Sequence, residues 1–338
     1  MAKTVLLTGV TGFIAKRIAL DLLNAGHAVR GSLRSERRAD EVRAALRPAL
    51  DDPNSLDRLS FVELDLARDE GWAEAMDGID AVLHTASPFP MVQPKDENEI
   101  IKPAVDGALR ALRAAETAGV TRVVMTSSLV AIMSTDKPEN AAYSEADWTD
   151  TSHPTATAYV KSKTLAEKAA WDFVSDHPAI QLTTINPGLV AGRPMDRNFG
   201  TSLQVIERIL GGKDPMLPDV GFPVVDVKDV SAMHLKALDD PNTVGKRFIA
   251  SAGFATFPEI ADVLRGAFPT RKIAKSVAPK IVLRILSLFD PSIRTILPTV
   301  GLRLTIDNAL ARDEMGMDFV PWKESVLESA RFLEASES

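Results

Sequence analysis

The sequence predicts an α/β protein built on a doubly wound parallel sheet. Short apolar runs alternate with longer stretches of helical period from the first residues, and the alternation repeats six times. The apolar runs lack the strict polar–apolar alternation of half-exposed strands, which is typical of strands buried on both faces. After Pro187 the pattern becomes proline-rich and mostly helical, which indicates a smaller second lobe.

The predicted strands are short and each precedes a stretch of helical period. The first, KTVLLT, leads into FIAKRIALDLLNAG, where apolar residues recur every three or four positions until Gly26 ends the helix. The longest helix is predicted from about Ile100 to Gly119. The remaining strands of the sheet are predicted at HAVRGSLR, LSFVELD, DAVLHTA, TRVVMTSS and QLTTINP.

The change of pattern after Pro187 divides the chain into two predicted units. Residues 1–190 form the main domain, and residues 191–338 form the smaller helical lobe, with segments of about 224–250 returning to the main domain. Isolated strands are predicted at FPVVDVKDV and KRFIAS. The apolar segment APKIVLRILSLFDPSI is expected to be core, with a substrate lid or an oligomer surface as alternatives.

Composition narrows the classes of function. The 338 residues carry a net charge of −7, which gives no general field for nucleic acid or an anionic membrane surface. The absence of cysteine excludes disulfides, thiolate catalysis and Cys-based zinc sites, and the five histidines have no ligand spacing, so no metal is expected. No apolar run approaches the ~18 residues of a spanning helix and no signal peptide is evident, so a cytoplasmic protein without a membrane partner is expected.

The stretch LLTGVTGFIA predicts a dinucleotide-binding turn. Gly9 permits a tight turn after the first strand, Gly12 lets the backbone approach a pyrophosphate, and Ala15 allows close packing of helix on strand. The backbone N–H groups at the helix start, at Thr11, Phe13 and Ile14, would face the anion. Any strand-to-helix turn favours glycine, but this one has the flanking strand and helix that a Rossmann-type site requires.

The end of the second strand indicates which dinucleotide is bound. An NAD site usually carries an acid there to accept from the ribose 2′-hydroxyl, whereas this chain reads GSLRSERR, with Arg34 at the strand end and Arg37 and Arg38 shortly after. Arginine can pair with a 2′-phosphate through a forked, charge-assisted contact. The alternative is a basic helix start, which the helix macrodipole disfavours. The cofactor is therefore expected to be NADPH/NADP⁺.

A serine, a tyrosine and a lysine indicate proton-transfer chemistry. Ser127 and Ser128 end the fifth strand, and Tyr159 and Lys163 lie one turn apart on the helix that follows. A lysine ammonium would lower the tyrosine pKa, while a serine hydroxyl would polarise a substrate carbonyl. Alone, the tyrosine–lysine spacing could be an exposed helix pair. The glycine turn and the serine at the appropriate strand end favour the catalytic interpretation.

Taken together, these motifs resemble the extended short-chain dehydrogenases/reductases, in particular the branch of dihydroflavonol reductases, cinnamoyl-CoA reductases and microbial aldehyde and ketone reductases. The resemblance covers nearly the whole chain, through TGVTGFIA, ELDL, HTASP, TSS, YVKSKTLAEKAAW, NPGLVAG, VVDVKDVSAMHLKAL and DNALARDEMG. It implies Ser128, Tyr159 and Lys163 as catalytic residues, with Ser127 as the competitor of Ser128. It also implies a cofactor contact by Lys163, an adenine contact by Asp65 and Leu66, a ribose–nicotinamide contact by Ala86 and Ser87, and a carboxamide contact by Pro187 and Val190.

Departures from the family narrow the expected substrate. The catalytic tyrosine stands in TAYVK without cysteine, which disfavours a CoA thioester, and SSLVAIMS disfavours a nucleotide sugar. The apolar residues after Ser128 suit a hydrophobic or aromatic carbonyl, with candidate pocket walls at Phe89, Met91, Val130 and Met133, each of which could equally be plain packing.

The expected function is an NADPH-dependent carbonyl reductase, a monomer or homodimer, that converts a hydrophobic or aromatic ketone or aldehyde to an alcohol with Tyr159 as the proton donor. The alternatives are an epimerase or dehydratase on the same scaffold, or a regulatory NADP-binding protein without turnover.

Overall fold

The computed structural model describes residues 1–87, 96–138 and 141–337. The strands, in chain order, are β1 (Thr4–Thr8), β2 (Ala28–Leu33), β3 (Leu59–Glu63), β4 (Ala81–His84), β5 (Arg122–Thr126), β6 (Gln181–Pro187), β7 (Leu189–Ala191), β8 (Met216–Leu217), β9 (Gly221–Asp226), β10 (Arg247–Ala250), β11 (Gly253–Thr256) and β12 (Ser276–Val277).

The α-helices occupy the segments between and after these strands. In chain order they are α1 (Phe13–Asn24), α2 (Ala39–Leu46), α3 (Trp72–Met76), α4 (Asn98–Thr117), α5 (Ala158–Asp176), α6 (Gly200–Leu210), α7 (Val227–Asp239), α8 (Phe257–Ala267), α9 (Lys280–Leu286), α10 (Pro291–Ile296), α11 (Ala309–Met315) and α12 (Trp322–Glu337).

A seven-stranded sheet in the order β10–β6–β5–β4–β1–β2–β3 forms the centre of the fold. Every neighbouring pair in it is parallel, from Val5 opposite Val29 to Arg247 opposite Thr184. Sequence order reverses between β1 and β4, and the crevice outside the carboxyl ends of such strands is where open α/β sheets bind ligands. The predicted doubly wound parallel sheet is confirmed.

Two apolar clusters cover the two faces of this sheet. One contains buried residues of α1, α2, α7 and α11, including Ile18 and Met233. The other contains buried residues of α3, α4 and α5, including Leu112 and Ala170. Because each face is covered, side chains on both faces of the central strands are buried, as β4 and β5 show by being buried at every position.

The segment predicted as one strand, FPVVDVKDV, forms the end of a strand followed by the start of a helix. Strand β9 ends at Asp226, whose carboxylate accepts the N–H of Lys228 at 2.8 Å and caps α7. The sequence VKDV is therefore helical, and the strand prediction was wrong there. Helix α7 packs on α1, and β10 extends the central sheet beside β6.

A third cluster forms the core of the C-terminal part. Helices α6, α8 and α12 pack on the small sheet β11–β9–β7, with Leu203, Ile260 and Val326 wholly buried. Strands β8 and β12 form a separate pair.

The apolar segment around α9 was expected to be core, and that prediction was wrong for most of its residues. Leu283 is buried, but Ile281, Leu288 and Phe289 are 61%, 71% and 82% exposed. A seven-residue helix can place only one side of its surface against the neighbouring residues Val220 and Val300, which leaves its other apolar side chains outside.

Candidate active site

The glycine turn lies between β1 and α1 with the geometry that its sequence predicts. Gly9 has φ +70°, a conformation that side chains rarely adopt, and a Cβ there would lie 3.0 Å from the Cβ of Ala86. The N–H of Gly12 donates to the carbonyl of Gly9 at 2.9 Å and closes the turn. Ala86, predicted to lie along the ribose–nicotinamide portion of a cofactor, thus abuts the turn itself.

The amino end of α1 is open to an anion. Gly12 occupies the N-cap without a side-chain hydrogen bond, and the first turn, all of it described, carries no acidic residue. Free N–H groups and the positive end of the helix dipole therefore meet at Thr11, Phe13 and Ile14. Ala15 is buried at 2% exposure, as close packing of α1 requires.

A loop from the C-terminal part contacts this turn, which sequence reasoning did not foresee. The ammonium of buried Lys16 pairs with Asp196 at 2.5 Å, and Asn198 Nδ2 donates to the carbonyl of Thr11 at 2.9 Å. These contacts join residues about 180 positions apart, so no local pattern in the chain could indicate them.

The arginines after β2 have different surroundings. Arg34 and Arg37 are exposed and make no hydrogen bond or ion pair with any described residue. Arg38 instead binds Glu41 through two hydrogen bonds of 2.9 Å. Helix α2 begins only after the arginines and has Asp40 and Glu41 in its first turn, so the helix macrodipole disfavours them less than the sequence suggested. Arg34 remains available at the strand end.

The predicted adenine contacts follow β3. The carboxylate of Asp65 accepts the N–H of Ala67 at 2.9 Å, forming a local turn, and Leu66 lies against α4 opposite Gly107, where a Cβ would be 3.2 Å away. The carbonyl of Leu66 also accepts from Arg110. Both predicted residues are partly buried at the same sheet edge as the glycine turn.

The structure separates the two serines at the end of β5. Ser128 shares a side-chain hydrogen bond with Tyr159, and its Oγ also accepts the N–H of Val130 at 3.4 Å. Ser127 Oγ donates to Glu167 at 2.5 Å. Ser128 therefore faces the tyrosine, whereas Ser127 is occupied by a buried carboxylate, which supports the choice of Ser128.

Helix α5 presents Tyr159 and Lys163 on one face. Thr157 caps the helix by accepting the N–H of Val160 at 3.3 Å, which places the tyrosine in the first turn. Burial raises the pKa of Tyr159 to about 12, and the hydrogen bond with Ser128 opposes that rise. The expected lowering of the tyrosine pKa by Lys163 is therefore not found: burial dominates.

Lys163 has an unusual environment for an ammonium group. Its side chain makes no hydrogen bond or salt bridge within the part of the chain that the structure describes. Burial lowers its pKa to about 8, and the negative charge of Glu167 acts in the opposite direction. An ammonium held in this way can offer its three donors to a bound molecule.

A small polar cavity lies beside Lys163. Its volume is about 20 Å³, enough for one water molecule. Its polar lining comes from His84, Ser87, Thr126, Ser127, Lys163 and Glu167, and Ala86 also lines it. Ser87 was predicted to contact the ribose–nicotinamide portion of a cofactor.

The tautomer of His84 follows from its neighbours. Thr8 Oγ1 accepts the N–H groups of Thr85 and Ala86, each at 3.0 Å, so its single hydrogen is left for His84 Nδ1, also at 3.0 Å. The ring hydrogen therefore lies on Nε2. Burial and the charge of Lys163 lower the pKa of His84 to about 4, so the ring is neutral at pH 7.

The remaining predicted contacts lie on three elements. Pro187 ends β6 and Val190 lies in β7, both buried. Val130 and Met133 are partly buried in and just after the 3₁₀-helix Leu129–Ala131, and Met133 packs against an apolar cluster that includes Ile132. Phe89 and Met91 lie outside the described residues.

Sequence reasoning missed three buried polar residues beneath the serines. They are Glu167, Asn186 and Arg247, and Asn186 Nδ2 and Arg247 Nε each donate to the carboxylate of Glu167 at 2.7 Å. A signal for Glu167 was present, because it continues the four-residue spacing from Tyr159 through Lys163. Asn186 and Arg247 come from other strands and carry no such signal.

No helix among residues 1–87, 96–138 and 141–337 combines the length and apolar character needed to cross a membrane. No group of three or more His, Cys, Asp or Glu side chains in those ranges is arranged to hold a metal ion.

Comparison with known proteins places this site in a wider group. The sequence profile of the NAD dependent epimerase/dehydratase family matches residues 5–251. Ketoreductase azaE of Aspergillus niger is 35% identical over 291 residues, which cover 80% of this chain and 83% of that protein. Dihydroflavonol 4-reductase of Zea mays is 30% identical over 274 residues, which cover 79% and 74%.

A solved structure is similar over the whole chain. Yeast methylglyoxal/isovaleraldehyde reductase Gre2, crystallised with NADPH, superposes with a TM-score of 0.82 at 28% identity and 99% coverage of both chains. The expected resemblance to the extended short-chain dehydrogenases/reductases is confirmed, and the chain belongs to the NAD dependent epimerase/dehydratase family.

Proposed function

We propose that this protein is an NADPH-dependent reductase that converts a hydrophobic ketone or aldehyde to an alcohol. The observation that carries the proposal is the hydrogen-bonded pair Ser128–Tyr159, with the ammonium of Lys163 one helical turn away and unpaired among the described residues. A proton donor, a second hydroxyl and a cation at the carboxyl edge of a parallel sheet are the groups that carbonyl reduction requires.

The residues have distinct roles in this reaction. Bound NADPH supplies the hydride that the carbonyl carbon receives. Ser128 donates a hydrogen bond to the carbonyl oxygen, and Tyr159 transfers its phenolic proton to that oxygen as negative charge develops there. Lys163 stabilises the resulting phenolate and would hold the ribose of the bound cofactor. The carbonyl thus gains one hydride and one proton and becomes an alcohol.

The described residues fit a phosphorylated dinucleotide. The uncapped amino end of α1 suits the pyrophosphate, and the absence of acid in its first turn removes a repulsive charge. Arg34 lies at the end of β2 with its guanidinium free for a 2′-phosphate, with Arg37 nearby. The NADPH complex of yeast Gre2, a full-length structural relative, supports the same cofactor.

The substrate class follows from what surrounds the serine. Val130 and Met133 lie in and just after the short helix that follows Ser128, where they add partly buried apolar side chains. We assign residues 1–190 to cofactor binding and residues 191–338 to the substrate side, with β10 and α7 returning to the central sheet. The names of the relatives, a ketoreductase, a dihydroflavonol reductase and an aldehyde reductase, support a carbonyl substrate.

The test is the initial rate of NADPH and NADH oxidation across aromatic and aliphatic aldehydes, ketones and a dihydroflavonol. The proposal expects turnover with at least one hydrophobic carbonyl and a preference for NADPH. Binding of NADPH without oxidation by any carbonyl, together with turnover of a nucleotide sugar, would replace it with an epimerase or dehydratase reaction.

A further inference from the structure

Glu167 lies two helical turns beyond Tyr159 on the same face of α5 and is wholly buried. An isolated carboxylate in the protein interior is strongly disfavoured, so its charge must be compensated by donors or cations. The hydrogen-bond donors around Glu167 indicate its role.

The donors to this carboxylate come from three neighbouring strands and from its own helix. Oε2 accepts from Ser127 Oγ (2.5 Å) and Asn186 Nδ2 (2.7 Å), and Oε1 accepts from Arg247 Nε (2.7 Å), Thr184 Oγ1 (3.0 Å) and Trp171 Nε1 (3.3 Å). Ser127 follows β5, Thr184 and Asn186 lie in β6, and Arg247 opens β10. Glu167 therefore fastens the tyrosine helix to three adjacent strands of the sheet.

One of these contacts reaches the proposed catalytic serine directly. Asn186 Nδ2 donates both to Glu167 and to the backbone carbonyl of Ser128, the second contact at 3.3 Å. Ser127, the residue before it, is bound to the same carboxylate. The backbone that carries the Ser128 hydroxyl is thus held by the helix that carries Tyr159.

A second branch runs through Arg247 to the segment that links the serine to the tyrosine. Arg247 Nη1 donates to the carbonyls of Glu145 and Asp147, each at 2.7 Å, and its guanidinium lies 3.7 Å from the ring centroid of Trp148. This segment precedes α5 in the chain. Because it pairs with Arg247, Glu167 also helps to fix the segment of chain that precedes Tyr159.

The charge of Glu167 acts on Lys163 as well. The groups around Lys163 are Tyr159 and Glu167 on α5 and His84 on β4, while α4 contributes only alanines to the shared cavity. His84 is neutral, and the Nε of Arg247 donates to Oε1 of Glu167 at 2.7 Å. Glu167 is thus the anion that counters the burial of the lysine ammonium.

We propose that Glu167 is a positioning residue, holding Ser128 and Lys163 in register with Tyr159 through Asn186, Arg247 and its own negative charge. This inference rests on the proposed reductase function. Glu167 makes two contributions under this proposal: a hydrogen-bonded link to the Ser128 backbone and a negative charge near Lys163. Different substitutions remove each of them.

Three substitutions distinguish these contributions. Glu167→Gln keeps the size but removes the charge, so kcat should fall about 10–100-fold and the alkaline limb of the kcat/KM profile should move about one unit lower. Asn186→Ala breaks the link to Ser128 but leaves the charge, so kcat should fall about tenfold with the limb unmoved. Glu167→Asp keeps the charge, so its alkaline limb should lie at the same pH as in the unchanged protein.

The matched control is Glu97→Gln, which removes an exposed carboxylate at the start of α4 that pairs with Lys161 of α5 at 2.8 Å. It should leave kcat and the pH profile unchanged. Thermal unfolding of each variant separates loss of activity from loss of fold. A folded Glu167→Gln protein with an unmoved alkaline limb, whatever its kcat, overturns the proposal.

A measurement without turnover distinguishes failure of this inference from failure of the proposed function. In protein labelled with ¹³C-lysine, the Lys163 signal, assigned with Lys163→Arg, should titrate about one pH unit lower in Glu167→Gln. An unchanged midpoint overturns the role of Glu167 even if the protein reduces no carbonyl. If Glu167→Gln does not fold, Asn186→Ala carries the test of the hydrogen-bonded contribution, and an unchanged kcat in that folded variant overturns the proposal.

Discussion

Ser128 and Tyr159 share a side-chain hydrogen bond, although one follows strand β5 and the other lies in the first turn of helix α5. The intervening loop returns the chain to the same edge of the sheet, where Thr157 caps the helix and sets the direction of its first turn. The proposed proton donor and the proposed carbonyl-binding hydroxyl are therefore adjacent before any substrate arrives, which would lower the cost of orienting them in the transition state.

Removing the phenolic hydroxyl tests the proton donor. Tyr159→Phe should lower kcat about 10²–10⁴-fold while the dissociation constant for NADPH changes little, because the ring remains and only the transferable proton is lost. Tyr143 is the other tyrosine of the chain, and its hydroxyl donates to the carbonyl of Thr135 at 2.8 Å. Tyr143→Phe is the matched control and should keep its kcat. Retained turnover in Tyr159→Phe would remove Tyr159 from the proposed role.

Removing the strand-end guanidinium tests cofactor preference. Arg34→Ala should weaken NADPH binding about 10–100-fold and NADH binding less than about threefold, because only NADPH carries the 2′-phosphate. Fluorescence titration with both cofactors measures the difference. Arg113→Ala, a substitution on the exposed outer side of α4, should alter neither affinity. Equal losses for the two cofactors in Arg34→Ala would contradict the assignment.

Substitution of two glycines with positive φ distinguishes the effect of backbone strain from the effect of a steric contact made by the new Cβ. Gly9→Ala combines a φ of +70° with a Cβ 3.0 Å from Ala86, whereas Gly26→Ala has a φ of +88° and open space around it. Each should lose about 1 kcal/mol of unfolding free energy from strain alone. Gly9→Ala should lose more and should also weaken NADPH binding at least about tenfold. Equal cofactor affinity in the two variants would show that the turn does not contact the pyrophosphate.

Buried neutral histidines predict that the protein loses stability in mild acid. Burial lowers the pKa of His84 and of His234 to about 4, so between that value and their ordinary 6.5 the unfolded chain binds more protons than the folded one. Their contribution is complete above pH 6.5 and is lost as the pH falls towards 4. Asp229, whose pKa burial raises to about 6, acts in the opposite direction.

The net change from these three groups is a fall of about 2–3 kcal/mol in unfolding free energy from pH 7 to about pH 5. Urea unfolding at a series of pH values measures it. His84→Asn or His234→Asn should each flatten the dependence by the share of one histidine. The same pH dependence in both variants as in the unchanged protein would assign the acid sensitivity to other groups.

Much of the fold could be predicted from sequence because its signals are local. The six strand segments and the helices between them follow from apolar period, and the turn at Gly9 follows from residue size between a strand and a helix. The same holds for Tyr159 and Lys163, since a spacing of four residues fixes two side chains on one helix face. The prediction failed at VKDV, where the N-cap Asp226 begins a helix within an apolar, β-branched run.

The pKa of Tyr159 and the burial of the segment around Phe289 could not be predicted from the sequence. The tyrosine pKa was expected to fall because Lys163 is near, yet burial raises it, and desolvation depends on neighbours from several elements. Likewise, the segment around Phe289 is apolar enough for a core but lies exposed, because a short helix can cover only one of its sides.

The sequence by itself determined the class of fold, the turn between β1 and α1, and the types of residue available for chemistry, because each depends on neighbours within a few positions. Only the tertiary structure decided that Ser128 rather than Ser127 faces Tyr159, and that Glu167 joins Asn186 and Arg247 beneath them. The physical reason is that a buried charge needs partners from whichever strands pack against it, and strand order in the sheet is not written in any local pattern.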